Sequence, residues 1–528
     1  MLLDTVIENA RVVTLDASRP TATRIGLWRG RIAGLDDDID GIAVAERIDV
    51  GGATVLPGFI DAHTHLQLTG QGMRAIDISG ARTPAEALAL IGSVAAARGV
   101  DEWIEISGYD QRVLGRDLTA EELDRAAGGR RAWARHISSH SSVVSTAVLD
   151  ALPDPAARCH PDVAVGLLKE DRQALVYDQR LPYRLDDAGE TVRVAAEAAR
   201  RDGVTFCIDA GAGGSIGSLN PLDLDTFLRL RESRSLPVRI QVMPSWDALR
   251  PRAASRVDGF ERALDLGLRT GFGSDMLRVG ALKFVLDGGM MVRTARLTEP
   301  YAGTDERGVF RDDPALLSEQ IVDAHRAGWQ LAVHAIGDEA IDTAIAAFRE
   351  GAAQAAGHRR RHRLEHGGYI RDDQIEALAE LGITIASQPC FLYDQGDDFV
   401  AQLGSYREAG LYRGRSLVDA GVRVIGSTDR PLAGTPLRIV QSFAERRSSR
   451  GTVIGAEERL TVLEALETIT THAAWAANMD DRLGRLRPGY LADLTILERN
   501  PLETPVEGIA AIDVVGTVVD GEYEESRP

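Results

Sequence analysis

Cysteine is scarce in this chain. The three present, Cys159, Cys207 and Cys390, lie far apart and form no CxxC pair. This excludes a disulfide framework and points to a reducing cytoplasm. No apolar run is long enough to span a bilayer. The opening MLLDTVIENARVVTLD lacks a basic stretch followed by a long apolar core, so no signal peptide is expected either. Basic residues are the minority, 60 Lys+Arg against 79 Asp+Glu, for a net charge of −19. Nucleic acid and anionic membrane favour basic patches, and both are set aside as main partners. No glycine-rich phosphate loop follows an early strand, which weighs against a doubly wound open sheet.

What remains is an ordinary globular composition, 44% apolar and 26% charged, spread over 528 residues. That length predicts two structural units. Residues 1–55 read as short strands punctuated by turn residues such as Gly30, Gly51 and Gly52. The far end, YLADLTILERNP and IAAIDVVGTVVDGEYE, reads the same way, so the two ends are expected to pair into one small β unit. Between them, helical stretches such as LLSEQIVDAHRAGW alternate with short β-rich runs: FIDAHTH, RAWARHIS, VTFCIDAG, VRIQVMP, ALKFVLDGG, WQLAVHAIGD, RHRLEHGG, ITIASQP and VRVIGSTDRP. Strand, loop, helix, strand predicts a parallel sheet with helical crossovers, and the number of strands is close to that of an α/β barrel.

Polar residues recur at the C-terminal ends of these runs, where a barrel places its chemistry. In PGFIDAHTHL, His63 and His65 are two apart, so a strand points both the same way. Later runs supply His140, Asp209, Lys283, Asp287, His334, Asp338, Glu365, His366 and Asp429. Imidazoles and a carboxylate suit one or two divalent ions, foremost zinc. A protonated lysine cannot ligate, but a neutral one that takes up carbon dioxide becomes a carbamate with two oxygens. Asp429 is placed to move a proton from water to a leaving nitrogen. Each residue also has a plainer reading. Lys283 can pair with Asp287, Asp338 can cap the helix DEAIDTAIAAF, and Asp209 can be structural. Either Glu365 or His366 can serve an ion pair alone. His136, His325, His358 and His362 read as ordinary histidines, and His472 as a packing residue on a helix. Trp246, Phe391, Tyr393 and Arg430 face either substrate or protein.

These motifs together resemble the amidohydrolase superfamily, and within it the YtcJ-like branch that includes N-substituted formamide deformylase-type enzymes. The resemblance runs through PGFIDAHTHL, ISSHSSVVSTAVL, LKFVLDGGMMVRTA, VHAIGDEAI, RLEHGG, STDRP and the closing segment LTVLEALETITTHAAWAANMDDRLGRLRPGYLADLTILERNP. It implies an α/β fold, a distorted (β/α)8 TIM barrel with a small composite β-sandwich from both termini. The implied division is residues 1–58 and 480–528 in the sandwich and 59–479 in the barrel with its insertions. Carried over by motif, His63, His65, His334, His366 and Asp429 match the metal ligands. Lys283 matches the lysine carboxylated in two-metal members, and His140 a histidine near the substrate. Two departures bear on substrate: DGGMMVRTA stands where the branch often has DGSLGSRTA, and Ser145 where it often has asparagine.

The resulting expectation is a cytoplasmic hydrolase holding one or two zinc ions, the two-metal form with carboxylated Lys283 preferred. It would cleave a non-peptide C–N bond (amide, N-formyl or carbamate-like) of a small molecule, with Asp429 and His140 as catalytic residues. A deaminase or lactam hydrolase uses the same ligands, and a non-catalytic metal-binding regulator is the alternative of another class. A homodimer is compatible with this reading.

Overall fold

A computed structural model describes residues 2–99, 101–137, 141–214, 220–252, 257–354, 360–432 and 434–526. The fold is α/β. The chain divides into two compact units: Met1–His65, Ala196–Gly217 and Asp223–Pro528 form one, Leu66–Ala195 with Ser218–Leu222 the other.

The first unit carries two parallel sheets. One orders its strands Leu277–Val279, Arg239–Pro244, Val204–Ala212, Phe59–Thr64; the other runs Leu282–Val285, Leu331–Ala335, Arg363–His366, Thr384–Ser387, Val424–Gly426. Every ladder within them is parallel. Single parallel bridges, Ser245 to Lys283 and Thr64 to Arg430, connect the two sheets. No continuous ladder joins the two among the described residues. Phe59–Thr64 and Val204–Ala212 are buried at every position. Strands covered on both faces therefore read as nearly unbroken apolar runs.

Crossover helices follow their local signals. Pro314–Arg326 starts where the Asp313 side chain accepts from Ala315 N at 2.9 Å and Pro314 occupies the first turn. Its Leu317, Ile321 and Ala324 join Ile341, Ala344 and Phe348 of Asp338–Gln354 and Phe284, Val333, Leu364 and Ile385 of the sheet in one buried cluster. The three- and four-residue spacing of these apolar positions is what one helical face requires.

RAWARHIS does not belong to the parallel sheets. Ala132–His136 lies in the second unit, in a five-stranded sheet ordered Leu167–Lys169, Ser141–Val144, Ala132–His136, Ile104–Tyr109, Ile76–Asp77. The chain turns back from it within a few residues and Ser141–Val144 pairs antiparallel, whereas a parallel return needs a long crossover. The helices Pro84–Ala95 and Ala120–Ala127 cover this sheet through Ala87, Ile91, Leu123 and Ala127.

Strands from both ends of the chain meet in the first unit. Thr54–Pro57 pairs antiparallel with Leu494–Leu497 inside a six-stranded sheet that also holds Arg11–Val13, Thr21–Ala22, Val514–Val519 and Glu522–Glu525. A four-stranded sheet of Leu2–Glu8, Ile25–Trp28, Arg31–Leu35 and Ala43–Asp49 shares its apolar cluster, with Ile7, Ile25 and Leu27 beside Val12, Val55, Leu494 and Val518. Among the described residues, no helix is long and apolar enough to cross a membrane.

Candidate metal centre

Residues on or just after five strands of the first unit converge. His63 is the penultimate residue of the strand Phe59–Thr64 and His65 follows it; their rings are 5.3 Å apart. Asp429 Oδ1 lies 3.3 Å from His65 Nε2 and 3.6 Å from His63 Nε2. One donor atom from each of these three lies within 4.8 Å of the others. Lys283 Nζ, on a buried side chain, is 3.4 Å from His63 Nε2. The His366 ring stands 5.0 Å from that of His63 and 4.4 Å from that of His334. The structure thus brings together all six residues named as ligands from sequence. His140, named as catalytic, and His358 lie outside the described residues.

The surrounding polar groups set the imidazole tautomers. Carboxylates, carbonyls and amide oxygens only accept, so a ring nitrogen facing one carries the hydrogen. His63 Nδ1 donates to Glu365 Oε2 at 2.5 Å, His65 Nδ1 to the Ala210 carbonyl at 2.8 Å, and His366 Nδ1 to Gln388 Oε1 at 2.7 Å. The Gln388 amide is oriented by its own donations to Ala386 O at 3.0 Å and Ser427 Oγ at 2.8 Å. His63 and His366 are left with Nε2 as the lone-pair nitrogen, the state a metal-binding imidazole needs, while His65 Nε2 faces Asp429 Oδ1 at 3.3 Å.

The backbone is constrained at the same place. His366 has φ 72° and Asp429 φ 56°, left-handed conformations that side-chain-bearing residues rarely adopt. Such residues cost about 1–3 kcal/mol each and persist where surrounding contacts enforce them. For Asp429 those contacts include its own N–H, which donates to the His63 carbonyl at 3.0 Å. The preceding Thr428 also donates to Asp61, from N at 3.0 Å and from Oγ1 at 2.6 Å. Asp61 of the first motif therefore anchors the loop of the last.

Burial brings the His63 imidazole down to about 4, helped by the Lys283 charge, and lowers His366 well below its ordinary value. Burial alone would raise Asp429; His63, His65 and His366 outweigh it and hold this carboxyl far below its usual range. Burial also lowers the Lys283 amine to about 8, against the pull of Glu365 and Asp429. At neutral pH the His63 and His366 imidazoles are neutral, Asp429 is ionised and Lys283 has an accessible neutral form. That donor set fits a divalent ion of zinc type.

Several other residues take defined places. Asp287 does not pair with Lys283. Its carboxylate accepts from the backbone N–H groups of Arg296 at 2.9 Å, Ile336 at 3.0 Å and Gly337 at 2.9 Å, and lies 3.3 Å from His334 Nε2. Asp338 opens its helix without capping it, because its carboxylate accepts from Thr298 N at 2.9 Å and Arg371 Nη1 at 2.8 Å. Glu365 is the residue of its pair that serves an ion pair, receiving Arg363 Nε at 2.7 Å, while His366 faces the site. Asp209 is buried but is not among the clustered donors. Arg430 faces protein, pairing with Asp202 at 2.5 Å. Trp246 stacks on Phe284 and Tyr393 lies under Arg438. Met290, Met291, Ile336, Phe391 and Leu432 share an apolar cluster. Ser145 Oγ accepts from Ala132 N at 2.8 Å and donates to Arg130 O at 3.0 Å, so it is tied to its own unit's backbone. His325 and His362 form a buried hydrogen-bonded pair at 2.7 Å, and His472 Nδ1 meets the Val424 carbonyl at 3.1 Å. Sequence reasoning missed Asp61, Arg363 and Gln388. Only the alternation of charge in RHRLEH hinted at one of them.

A family model described as "Amidohydrolase family" matches residues 46–523. The chain is 25% identical over 500 residues to YtcJ of Bacillus subtilis (strain 168), covering 91% of each. It is 26% identical over 551 residues to the N-substituted formamide deformylase of Arthrobacter pascens, covering 99% of this chain and 98% of the other. Among solved structures, an uncharacterized metal-dependent hydrolase from Pyrococcus horikoshii OT3 aligns with a TM-score of 0.79 at 23% identity, over 95% of this chain and 99% of that one. That last likeness is one of fold.

Proposed function

Because the chain belongs to the amidohydrolase family, in the branch of YtcJ and N-substituted formamide deformylase, and is a metal-dependent hydrolase of C–N bonds, we propose that it cleaves a non-peptide amide, N-formyl or carbamate-like bond of a small molecule. The observation that carries this reading is the convergence of His63, His65 and Asp429, with each imidazole's Nδ1 committed to an acceptor other than the site.

His63, His65 and Asp429 would hold one zinc ion and His334 and His366 a second, with Lys283, as its carbamate, a further ligand. Such ions supply Lewis acidity to a carbonyl and make water more acidic. Lys283 becomes the carbamate when its neutral amine adds to carbon dioxide and releases a proton. With its pKa at about 8, roughly one lysine in ten is neutral at pH 7, against fewer than about one in a thousand at the ordinary value. Asp429, ionised and beside the other donors, accepts the proton of the attacking water and delivers it to the leaving nitrogen. Glu365, Ala210 and Gln388 keep the rings turned. His140 remains assigned to the substrate side by its motif.

The two parallel sheets are read as halves of one distorted (β/α)8 barrel, and residues 1–58 and 480–528 as its composite β-sandwich. Mass spectrometry of products from a panel of formamides, amides, carbamates and lactams tests the function. Cleavage of an acyclic C–N bond supports it. Ring opening of lactams alone, or ammonia release from amino-substituted rings alone, points to the lactam-hydrolase or deaminase alternative. No turnover by the zinc-loaded protein favours a metal-binding regulator.

A further inference from the structure

We propose that Tyr412 donates a hydrogen bond from its phenol to the carbonyl oxygen of the scissile group, an inference that rests on the amide-hydrolase reading above. Tyr412 lies in the loop between the strands Thr384–Ser387 and Val424–Gly426. It is 1% exposed, yet among the described residues its hydroxyl makes no hydrogen bond. A hydroxyl with no protein partner near a reaction centre is a candidate for contact with substrate.

The fold holds this side chain firmly. The residue has φ 40°, a left-handed conformation unfavourable for a bulky aromatic. Its N–H donates to the Gly368 carbonyl at 3.0 Å. Its own carbonyl accepts from Arg446 Nη1 at 2.8 Å, and the same buried guanidinium reaches Leu411 O and Ile454 O, each also at 2.8 Å. The ring stands edge-on to Phe391 at 5.8 Å and stacks on Phe399 at 6.2 Å. Two aromatic side chains and a buried arginine thus fix where the hydroxyl points.

That position is beside the metal centre. A Cβ placed on Gly368, two residues beyond His366, would lie 3.5 Å from the Tyr412 hydroxyl. Ile336, two residues beyond His334, belongs to the same apolar cluster as the tyrosine. Burial, and then the carboxylates of Asp429 and Asp287, push the phenol well above its usual range, so it stays protonated and can only donate to an incoming oxygen anion. When water adds to the carbonyl carbon, the oxygen gains negative charge and a fixed neutral donor binds it more strongly than the starting carbonyl. No proton changes owner and no bond to Tyr412 forms.

Tyr412→Phe keeps the ring and removes the donor. Two measurements on the zinc-loaded full chain test the proposal. The first is the Kd of methylphosphonate, a tetrahedral anion standing in for the addition intermediate. It should weaken at least tenfold in the variant, with zinc content and unfolding temperature unchanged. The second is turnover of whichever panel amide the wild type cleaves, where kcat should fall about 100-fold with KM little altered. An affinity for methylphosphonate that is equal in both proteins, or absent from the wild type, overturns the role of Tyr412. So does a variant whose only change is in KM. A wild type that cleaves nothing in the panel overturns the amide-hydrolase reading instead, and the methylphosphonate comparison still decides Tyr412.

Discussion

Replacing Glu365 by glutamine keeps the side chain's shape and removes its charge. In the native protein this buried carboxylate receives Arg363 Nε at 2.7 Å and Nη2 at 2.8 Å, and His63 Nδ1 at 2.5 Å. Arg363 Nη2 also reaches the Ala62 carbonyl at 2.7 Å, so the pair ties the His366 strand to the His63 strand. In Glu365→Gln the amide accepts from one neighbour but turns an NH2 toward another donor, and a buried guanidinium loses its counter-charge. Breaking a buried pair from one side costs about 3–5 kcal/mol. His63 also loses the anionic acceptor that keeps its Nε2 free, and loss of such a partner weakens metal binding about 10–100-fold. Denaturant titration of the metal-free protein reads the first effect, and zinc competition against a chromophoric chelator reads the second. Adding Arg363→Met should cost less than the sum of the two single changes, because no charge is then left unpaired. A Glu365→Gln protein within about 1 kcal/mol of wild type and with unchanged zinc affinity refutes the reasoning.

Two further predictions concern the same buried groups. In the metal-free protein burial, ahead of the Lys283 charge, lowers His63 from 6.5 to about 4, so the unfolded chain takes up this proton first as pH falls. The ring's contribution to stability is then whole above about pH 6.5, declines between there and about 4, and is gone below; a flat unfolding midpoint over that range contradicts it. Lys283→Ala should retain one zinc in place of two and lose most activity, and Lys283→Arg should do no better, since a guanidinium forms no such carbamate and stays cationic. Elemental analysis that finds two metals in wild type and Lys283→Ala alike rules out the carbamate ligand.

Much of the site was legible because its signals are local. His63 and His65 share a direction through the two-residue strand repeat, and His334, His366 and Asp429 each stand at the end of a β-rich run. What was not legible depends on contacts distant in sequence. Glu365 orients a histidine 302 positions away, and Asp61 anchors a threonine 367 positions away. Asp287 looked like a partner for Lys283 because they stand four positions apart, but three backbone N–H groups from other segments claim its carboxylate. RAWARHIS has the composition of a buried strand in either setting; only the short antiparallel return to Ser141–Val144 removes it from the parallel sheets. Tyr412 carries no motif at all, and its placement emerges from Arg446, Phe391 and Phe399 acting together.

The central claim is that this donor set works by holding metal. Its most direct test is to strip the protein with a chelator, verify the loss by elemental analysis, and follow hydrolysis of an amide that the untreated protein cleaves. The account predicts that activity disappears with the metal and returns on adding zinc, in step with occupancy. Full activity in protein shown to contain no metal would contradict it.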